Sequence, residues 1–231
     1  SSDVCSSDLA EFKEQSLYSL IIISKSITRK TDFIKEYYKY NKEVNVWDAR
    51  GFSPLMLCVA NYNDTAALSL LLKLGASPFA NSKELKTAYD YSLMVQKANP
   101  FCELIIRNAI INGNYSVKTK LEFCLQYKLK TEGGRLANED AQKYPDSMQV
   151  QYQRAAWHYN MKMYTQAVNG YTECIRLRND DARLYFYRGL CYYALNLNEK
   201  ATTDFNEAIR LNPSFKKEIE TAKKQISDAN Q

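Results

Sequence analysis

The pattern of apolar and polar positions in the C-terminal half of the chain occurs twice in succession. Residues 182–215 repeat key apolar and small positions of residues 148–181 at an offset of 34 residues. The copies share small, aromatic and branched apolar positions: Tyr159 with Tyr193, Ala167 with Ala201, and Ile175 with Ile209. A period of about 34 residues accommodates two helices and a turn, and each such unit leaves an apolar face that only a neighbouring copy can cover. The pattern therefore predicts stacked helix pairs.

The second of these copies resembles the tetratricopeptide repeat. Its small, aromatic and proline positions match the signature residues of that family, namely Tyr185, Gly189, Tyr192, Ala201, Phe205, Ala208 and Pro213. Residues 215–229 are predicted to form one amphipathic helix, similar to the helix that covers the last repeat of such arrays. The resemblance implies that the first helix of each pair lines a concave surface, and that this surface binds other proteins.

The N-terminal half carries a second pattern, which resembles the ankyrin repeat. From residue 48 the sequence DARGFSPLMLCVANYNDTAALSLLLKLGASPFANS has Ser53, Pro54 and Leu55 in place of the Thr-Pro-Leu opening of that family. Pro54 suits the first turn of a helix, and Gly75 suits the left-handed cap that ends the second helix. Residues 81–108 are interpreted as a second copy and residues 17–48 as a degenerate earlier one.

The chain is thus predicted to be all-α, an α-solenoid of ankyrin-type and tetratricopeptide-type helix pairs. We place a boundary at Gly113, where flanking asparagines interrupt the apolar pattern. The expected segments are an ankyrin module of two to three repeats over residues 10–113, a helical connector or degenerate tetratricopeptide repeat over 114–146, and two tetratricopeptide repeats with a capping helix over 147–231. Residues 1–9, SSDVCSSDL, resemble a translated sequencing adapter at the broken end of a metagenomic gene, so the biological chain is expected to begin upstream.

Within the connector the apolar positions predict one amphipathic helix over residues 117–130. Leu121, Leu125 and Leu129 form its apolar stripe. The glycine pair at 133 and 134 is expected to break the helix, and a shorter helix is predicted over residues 135–143.

Charge, hydropathy and cysteine spacing narrow the function classes. The charges of both signs are interspersed, and a net charge of +5 is too small to indicate a nucleic-acid-binding arm. No stretch approaches the roughly 20 apolar residues that a membrane span needs, so no membrane partner is expected.

The six cysteines lack the paired spacing of zinc sites, and we interpret them as reduced thiols of a cytoplasmic or nuclear protein. His158, the only histidine, falls on an interior helix stripe, so we predict neither an enzyme nor a cofactor.

The inner surface of the tetratricopeptide copies is the expected binding site. Its candidate residues combine aromatic rings with a few polar groups, as interface hot spots do, and are Gln149, Tyr152, Tyr159, Asn160, Arg183, Phe186 and Tyr193. Asn160 is expected to hold a peptide backbone through paired amide hydrogen bonds, and Arg183 to attract an acidic group. In the ankyrin module the candidates lie on and around the hairpin tips and are Trp47, Arg50, Phe52, Lys83 and Lys86.

These features predict a protein–protein interaction scaffold or adaptor that binds an extended segment of its partner. Acidic C-termini of heat-shock proteins are not the expected ligand, because Gly134, Gln153 and Tyr192 stand where the carboxylate clamp of tetratricopeptide co-chaperones needs asparagines and an arginine. Two alternatives stay open. A nucleic-acid-associated protein would use the lysines of the connector and of the C-terminal helix, and the regulatory end of a larger enzyme would need a catalytic domain upstream.

Overall fold

The computed structural model describes residues 17–23, 29–62, 64–95 and 100–228. Regular secondary structure within these ranges consists of helices and includes no strand, which confirms the predicted all-α class. The chain divides into two compact units between Asn114 and Tyr115. The adapter-like segment over residues 1–9 lies outside the described residues.

The N-terminal unit contains six helices in its described part. They are α1 Leu17–Ile23, α2 Lys30–Tyr40, α3 Pro54–Leu57 with a π-helical turn over Cys58–Tyr62, α4 Thr65–Lys73, α5 Ala88–Val95 and α6 Pro100–Asn112. Helix α3 begins at Pro54, as predicted, and the Ser53 hydroxyl accepts a hydrogen bond of 3.3 Å from the Met56 N–H. Gly75 adopts a φ of 95° after α4, which confirms the predicted left-handed cap.

Two loops of this unit repeat the same backbone geometry. The Asp48 N–H donates to the Phe52 carbonyl at 2.9 Å, and the Ser82 N–H donates to the Lys86 carbonyl at 2.8 Å in the next loop. The tip residues are also equivalent, because Gly51 has a φ of 85° and Leu85 a φ of 58°. Leu85 thus occupies a backbone position that favours glycine, and it is 81% exposed.

The C-terminal unit contains seven helices in its described part, arranged as three pairs and a final helix. They are α7 Val117–Gln126, α8 Lys130–Lys143, α9 Met148–Asn160, α10 Tyr164–Leu177, α11 Ala182–Ala194, α12 Asn198–Leu211 and α13 Phe215–Asp228. The second helices α8, α10 and α12 are each 14 residues long, and they begin at the evenly spaced positions 130, 164 and 198. The turns inside the pairs place Lys128, Lys162 and Asn196 at φ values of 57°, 58° and 60°. Residues 117–143 therefore adopt the same helix-turn-helix backbone as the two clear copies.

Two sequence expectations for residues 117–143 are wrong. The first helix ends at Gln126 instead of continuing to residue 130, because Lys128 enters the left-handed region. Gly133 and Gly134 do not break a helix but lie inside α8. The reason is packing, since a Cβ on Gly133 would overlap Cζ2 of the Trp157 indole.

Small residues mark the close contacts within the second and third pairs. A Cβ on Gly170 would lie 2.7 Å from the Cβ of Ala155, and a Cβ on Gly189 would lie 2.8 Å from the Phe205 ring. Both distances are shorter than side chains tolerate, so these crossings depend on the missing side chain. The helices of each pair therefore approach as closely as the repeat pattern predicts.

We predict that Gly133→Ala lowers the free energy of unfolding by about 1–3 kcal/mol, because the added methyl group overpacks the contact with Trp157. Gly134→Ala is the matched control. Its Cβ would lie 3.6 Å from the same indole, an ordinary contact, and alanine is favoured over glycine within a helix by about 0.5–1 kcal/mol. Urea unfolding of both variants checks the difference, and equal stabilities would contradict this account of the glycine pair.

Candidate functional site

A groove lies between the first helices of the first two pairs in the C-terminal unit. We call it the inner-wall groove. Helix α7 contributes Lys118, Leu121, Glu122 and Leu125, and helix α9 contributes Tyr152, Gln153, Ala156, Trp157 and Asn160. Its volume is about 160 Å³, and it opens to solvent on one side.

The lining of the inner-wall groove is apolar, with polar groups at its margin. Leu121 and Trp157 are buried, and Leu125 is 37% exposed. The Lys118 ammonium lies 3.9 Å from a carboxylate oxygen of Glu122 one turn further along α7. These two opposite charges leave the margin without a net charge, so the groove offers apolar contact area more than electrostatic attraction.

The structure brings two of the predicted peptide-binding residues to this groove. Tyr152 is half-buried and lines it, and Asn160 is exposed at the C-terminal end of α9. Gln149 is exposed in the first turn of the same helix, outside the groove lining. Tyr159 packs its ring against Tyr187 at a centroid distance of 5.4 Å, and burial raises its pKa to about 12.

The remaining three candidates lie on α11 and are engaged within the chain. The Arg183 guanidinium donates to both carboxylate oxygens of Asp181, with a shortest distance of 2.7 Å, and this hydrogen bond raises its pKa. Phe186 is 7% exposed and lies 4.9 Å from the Phe215 ring between centroids. The hydroxyl of Tyr193 lies 3.1 Å from that of Ser227. Helix α13 therefore covers part of the surface on α11 that the sequence assigned to a partner.

The predicted binding surface leaves out most of the groove lining, namely Lys118, Leu121, Glu122, Leu125, Gln153 and Trp157. The available signal was the spacing of the repeat, which makes Lys118 equivalent to Tyr152 and Leu121 equivalent to Ala155. The apolar pattern predicts two helices here, as a helical connector or degenerate repeat, but the predicted binding surface does not include the first of these helices. Without that helix, the groove on α9 has no second wall.

The predicted ankyrin surface is held together by contacts between successive loops. The Trp47 indole N–H donates to the Asn81 carbonyl at 3.2 Å, and the Lys83 ammonium donates to the Ala49 carbonyl at 2.6 Å. Arg50 forms an ion pair of 2.8 Å with the buried carboxylate of Asp48. Trp47 nevertheless remains 48% exposed. The loops thus present an aromatic ring beside two basic groups.

The other two candidates of this surface contact Tyr91. Phe52 lies 5.2 Å from the Tyr91 ring between centroids and is half-buried. The Lys86 ammonium lies 5.8 Å from the same ring and donates to Glu84 at 2.8 Å, a hydrogen bond that raises its pKa. Phe52 therefore anchors the loop, and Lys86 keeps its charge at the surface.

His158 packs in the interior, as the sequence predicts. It is 3% exposed, its Nδ1 lies 2.8 Å from the Arg154 carbonyl oxygen, and burial lowers its pKa.

The cysteines of the described ranges, Cys58, Cys102, Cys124, Cys174 and Cys191, are free and buried. Over the residues that the structure places, no three metal-binding side chains form a cluster. In the same ranges, none of the helices has the length and apolar character of a membrane span.

Comparison with known proteins identifies one repeat by sequence. The family model "Tetratricopeptide repeat" matches residues 182–215, which comprise α11, α12 and the start of α13. This repeat indicates, at the general level, a scaffold for protein–protein interactions. Among solved structures the chain is similar to "MamA AMB-1 C2221", with 13% identity, a TM-score of 0.41, and coverage of 68% of this chain and 94% of that one. It is similar to "MamA MSR-1 C2" with 13% identity, a TM-score of 0.41, and coverage of 78% and 98%.

We predict that the stability of the C-terminal unit falls as the pH drops below the ordinary histidine pKa of 6.5. Burial depresses the pKa of His158 in the folded state, so the unfolded state binds the extra proton first and gains stability. The loss begins as the pH falls through the ordinary histidine pKa, above the range in which ordinary carboxylates titrate. His158→Gln should remove this slope in urea unfolding series. An unchanged slope would contradict the role of His158.

Proposed function

We propose that this chain is a two-module scaffold whose inner-wall groove holds an extended segment of a partner protein. The observation that carries the proposal is the groove itself, an open apolar channel between two first helices of the repeat array. Protein interfaces combine such apolar contact area with a polar margin that directs hydrogen bonds. Tyr152 and Asn160 supply these two elements at the same groove.

The groove supports the proposal more strongly than the charge of Arg183 does. A carboxylate of the partner would have to compete with Asp181, which already accepts two hydrogen bonds from the Arg183 guanidinium. Asn160, by contrast, is exposed, and its amide can donate to and accept from a peptide backbone. We therefore assign the main contacts to α7 and α9, with Arg183 at the periphery.

The N-terminal unit, as an ankyrin-type module, supplies the second binding surface of this proposal. Its two equivalent loops support that assignment, and Trp47, Arg50 and Lys83 lie together on them. A partner that engages both modules gains through effective concentration and needs no further contacts. The scaffold carries out no catalytic step in this proposal. The burial of the cysteines as small apolar side chains supports placing the protein in a reducing compartment, the cytosol or nucleus.

Asn160→Ala should weaken capture of such a partner by one to a few kcal/mol, the usual range for truncation of an interface hot spot, without lowering the melting temperature. Asn169→Ala is the matched control, because Asn169 lies on the second helix α10, outside the groove lining. Quantitative pull-down with the full chain, followed by titration of the captured partner, measures the difference. Equal retention by both variants would remove the groove from the proposed function.

A further inference from the structure

We propose that the inner-wall groove recognises one uncharged aromatic side chain of the partner segment. This inference rests on the proposed function and adds the chemistry of the ligand. It comes from a comparison of two equivalent helix junctions within the same unit. One is the junction of α9 with α11, and the other is the junction of α7 with α9.

Aromatic rings of the chain itself fill the junction of α9 with α11. The Tyr187 ring lies 5.4 Å from the Tyr159 ring and 5.7 Å from the Tyr171 ring, measured between centroids. The rings of Tyr187 and Tyr171 are stacked, with an angle of 11° between their planes. The Tyr187 ring also packs against Phe186 at 5.1 Å. Tyr187 is partly buried there and packs against both core clusters of the repeats. An aromatic ring is therefore the side chain that closes this junction.

The equivalent junction of α7 with α9 lacks those rings. At the spacing of the repeat, Gln153 stands in place of Tyr187, and Leu125 stands in place of Tyr159. Ala137 and Lys118 likewise replace Tyr171 and Tyr152. The inner-wall groove lies at three of these substitutions, because Gln153, Leu125 and Lys118 line it. The Trp157 indole, which stands in place of Cys191, also lines it. The groove is also continuous with the aromatic cluster, because Tyr152 lines it and packs on Tyr171 at 6.1 Å.

The size and charge of the groove fit the same ligand. The groove is open to solvent, and its volume of about 160 Å³ is enough for one ring, since a closed cavity of about 150 Å³ binds benzene in another protein. The buried indole of Trp157 and the side chain of Leu121 form apolar walls that suit the face of a ring. The charges of Lys118 and Glu122 offset each other at the margin. A charged side chain placed against the apolar walls of Leu121 and Trp157 would lose its hydration without gaining an ion-pair partner there. The groove therefore selects against a charged ligand side chain.

The test is a selection of displayed random peptides on the immobilised full chain, with Gln153→Tyr as the blocking variant. This substitution places in the groove the ring that the next repeat carries at Tyr187. Ala156→Leu is a second blocking variant, which places in the groove the larger side chain that the next repeat carries at Leu190. Both variants fill empty space, so their melting temperatures should match or exceed that of the wild type. Asn169→Ala again serves as the control outside the groove.

We expect the selected peptides to share one Phe, Tyr or Trp, whose replacement by alanine weakens binding by about tenfold to a hundredfold. Gln153→Tyr and Ala156→Leu should each cause a similar loss, and Asn169→Ala none. Peptides that depend on Asn160 but share no aromatic position, or that depend on Asn160 and yet bind Gln153→Tyr as well as the wild type, would overturn the aromatic inference and leave the proposed function standing. If no selected peptide depends on Asn160 or Gln153, both proposals fail.

Discussion

The close packing of helix against helix in the C-terminal unit is the contact on which the other features of that unit depend. Gly170 against Ala155 and Gly189 against Phe205 join the helices of the second and third pairs, and Gly133 against Trp157 joins the first pair to the second. None of these contacts leaves room for a further side chain. In the turn inside each pair, one residue with a positive φ reverses the direction of the chain, so that the two helices of the pair can pack against each other. Because both constraints recur along the repeats, they set the spacing of the first helices and hence the grooves between them.

Two ion pairs of α11 differ in whether they connect one helix to another. Arg188 and Asp204 link α11 to α12 through two hydrogen bonds of 2.8 and 2.7 Å, with only 17% and 6% of their side chains exposed. A bidentate pair of this kind fixes the relative position of two helices, and removal of one partner would leave a buried charge. The Arg183 pair with Asp181, in contrast, joins residues two positions apart at the surface. This pair offsets the charge of Arg183 but does not connect α11 to another helix.

The sequence predicts the fold of the C-terminal unit well wherever the repeat is regular. The helix pairs over residues 148–211 and the buried state of His158 follow from the spacing of apolar positions. The helix bounds of the first pair are less predictable, because a glycine pair is an ordinary helix-breaking signal and only the contact with Trp157 explains why α8 tolerates it. Local composition carries no information on a ring supplied by another helix.

The candidate site shows the same limit. Tyr152 and Asn160 were predictable, since both lie on the inner face of α9. The engagement of Phe186 and Tyr193 with α13 was not, because it depends on how the final helix packs on α11. The groove lies where one copy departs from its neighbours, at Gln153 and Leu125. The regular positions of the repeat therefore predict the fold, whereas the proposed binding site lies at irregular ones.

Amide hydrogen exchange of the full chain, measured with and without a bound partner, reports which helices the partner contacts. We predict that the partner slows exchange in α7 and α9, over residues 117–126 and 148–160, which line the inner-wall groove. Exchange in the second helices α8 and α10 should change less. Protection confined to the second helices, or to the loops of the N-terminal unit, would contradict the assignment of the groove as the binding site.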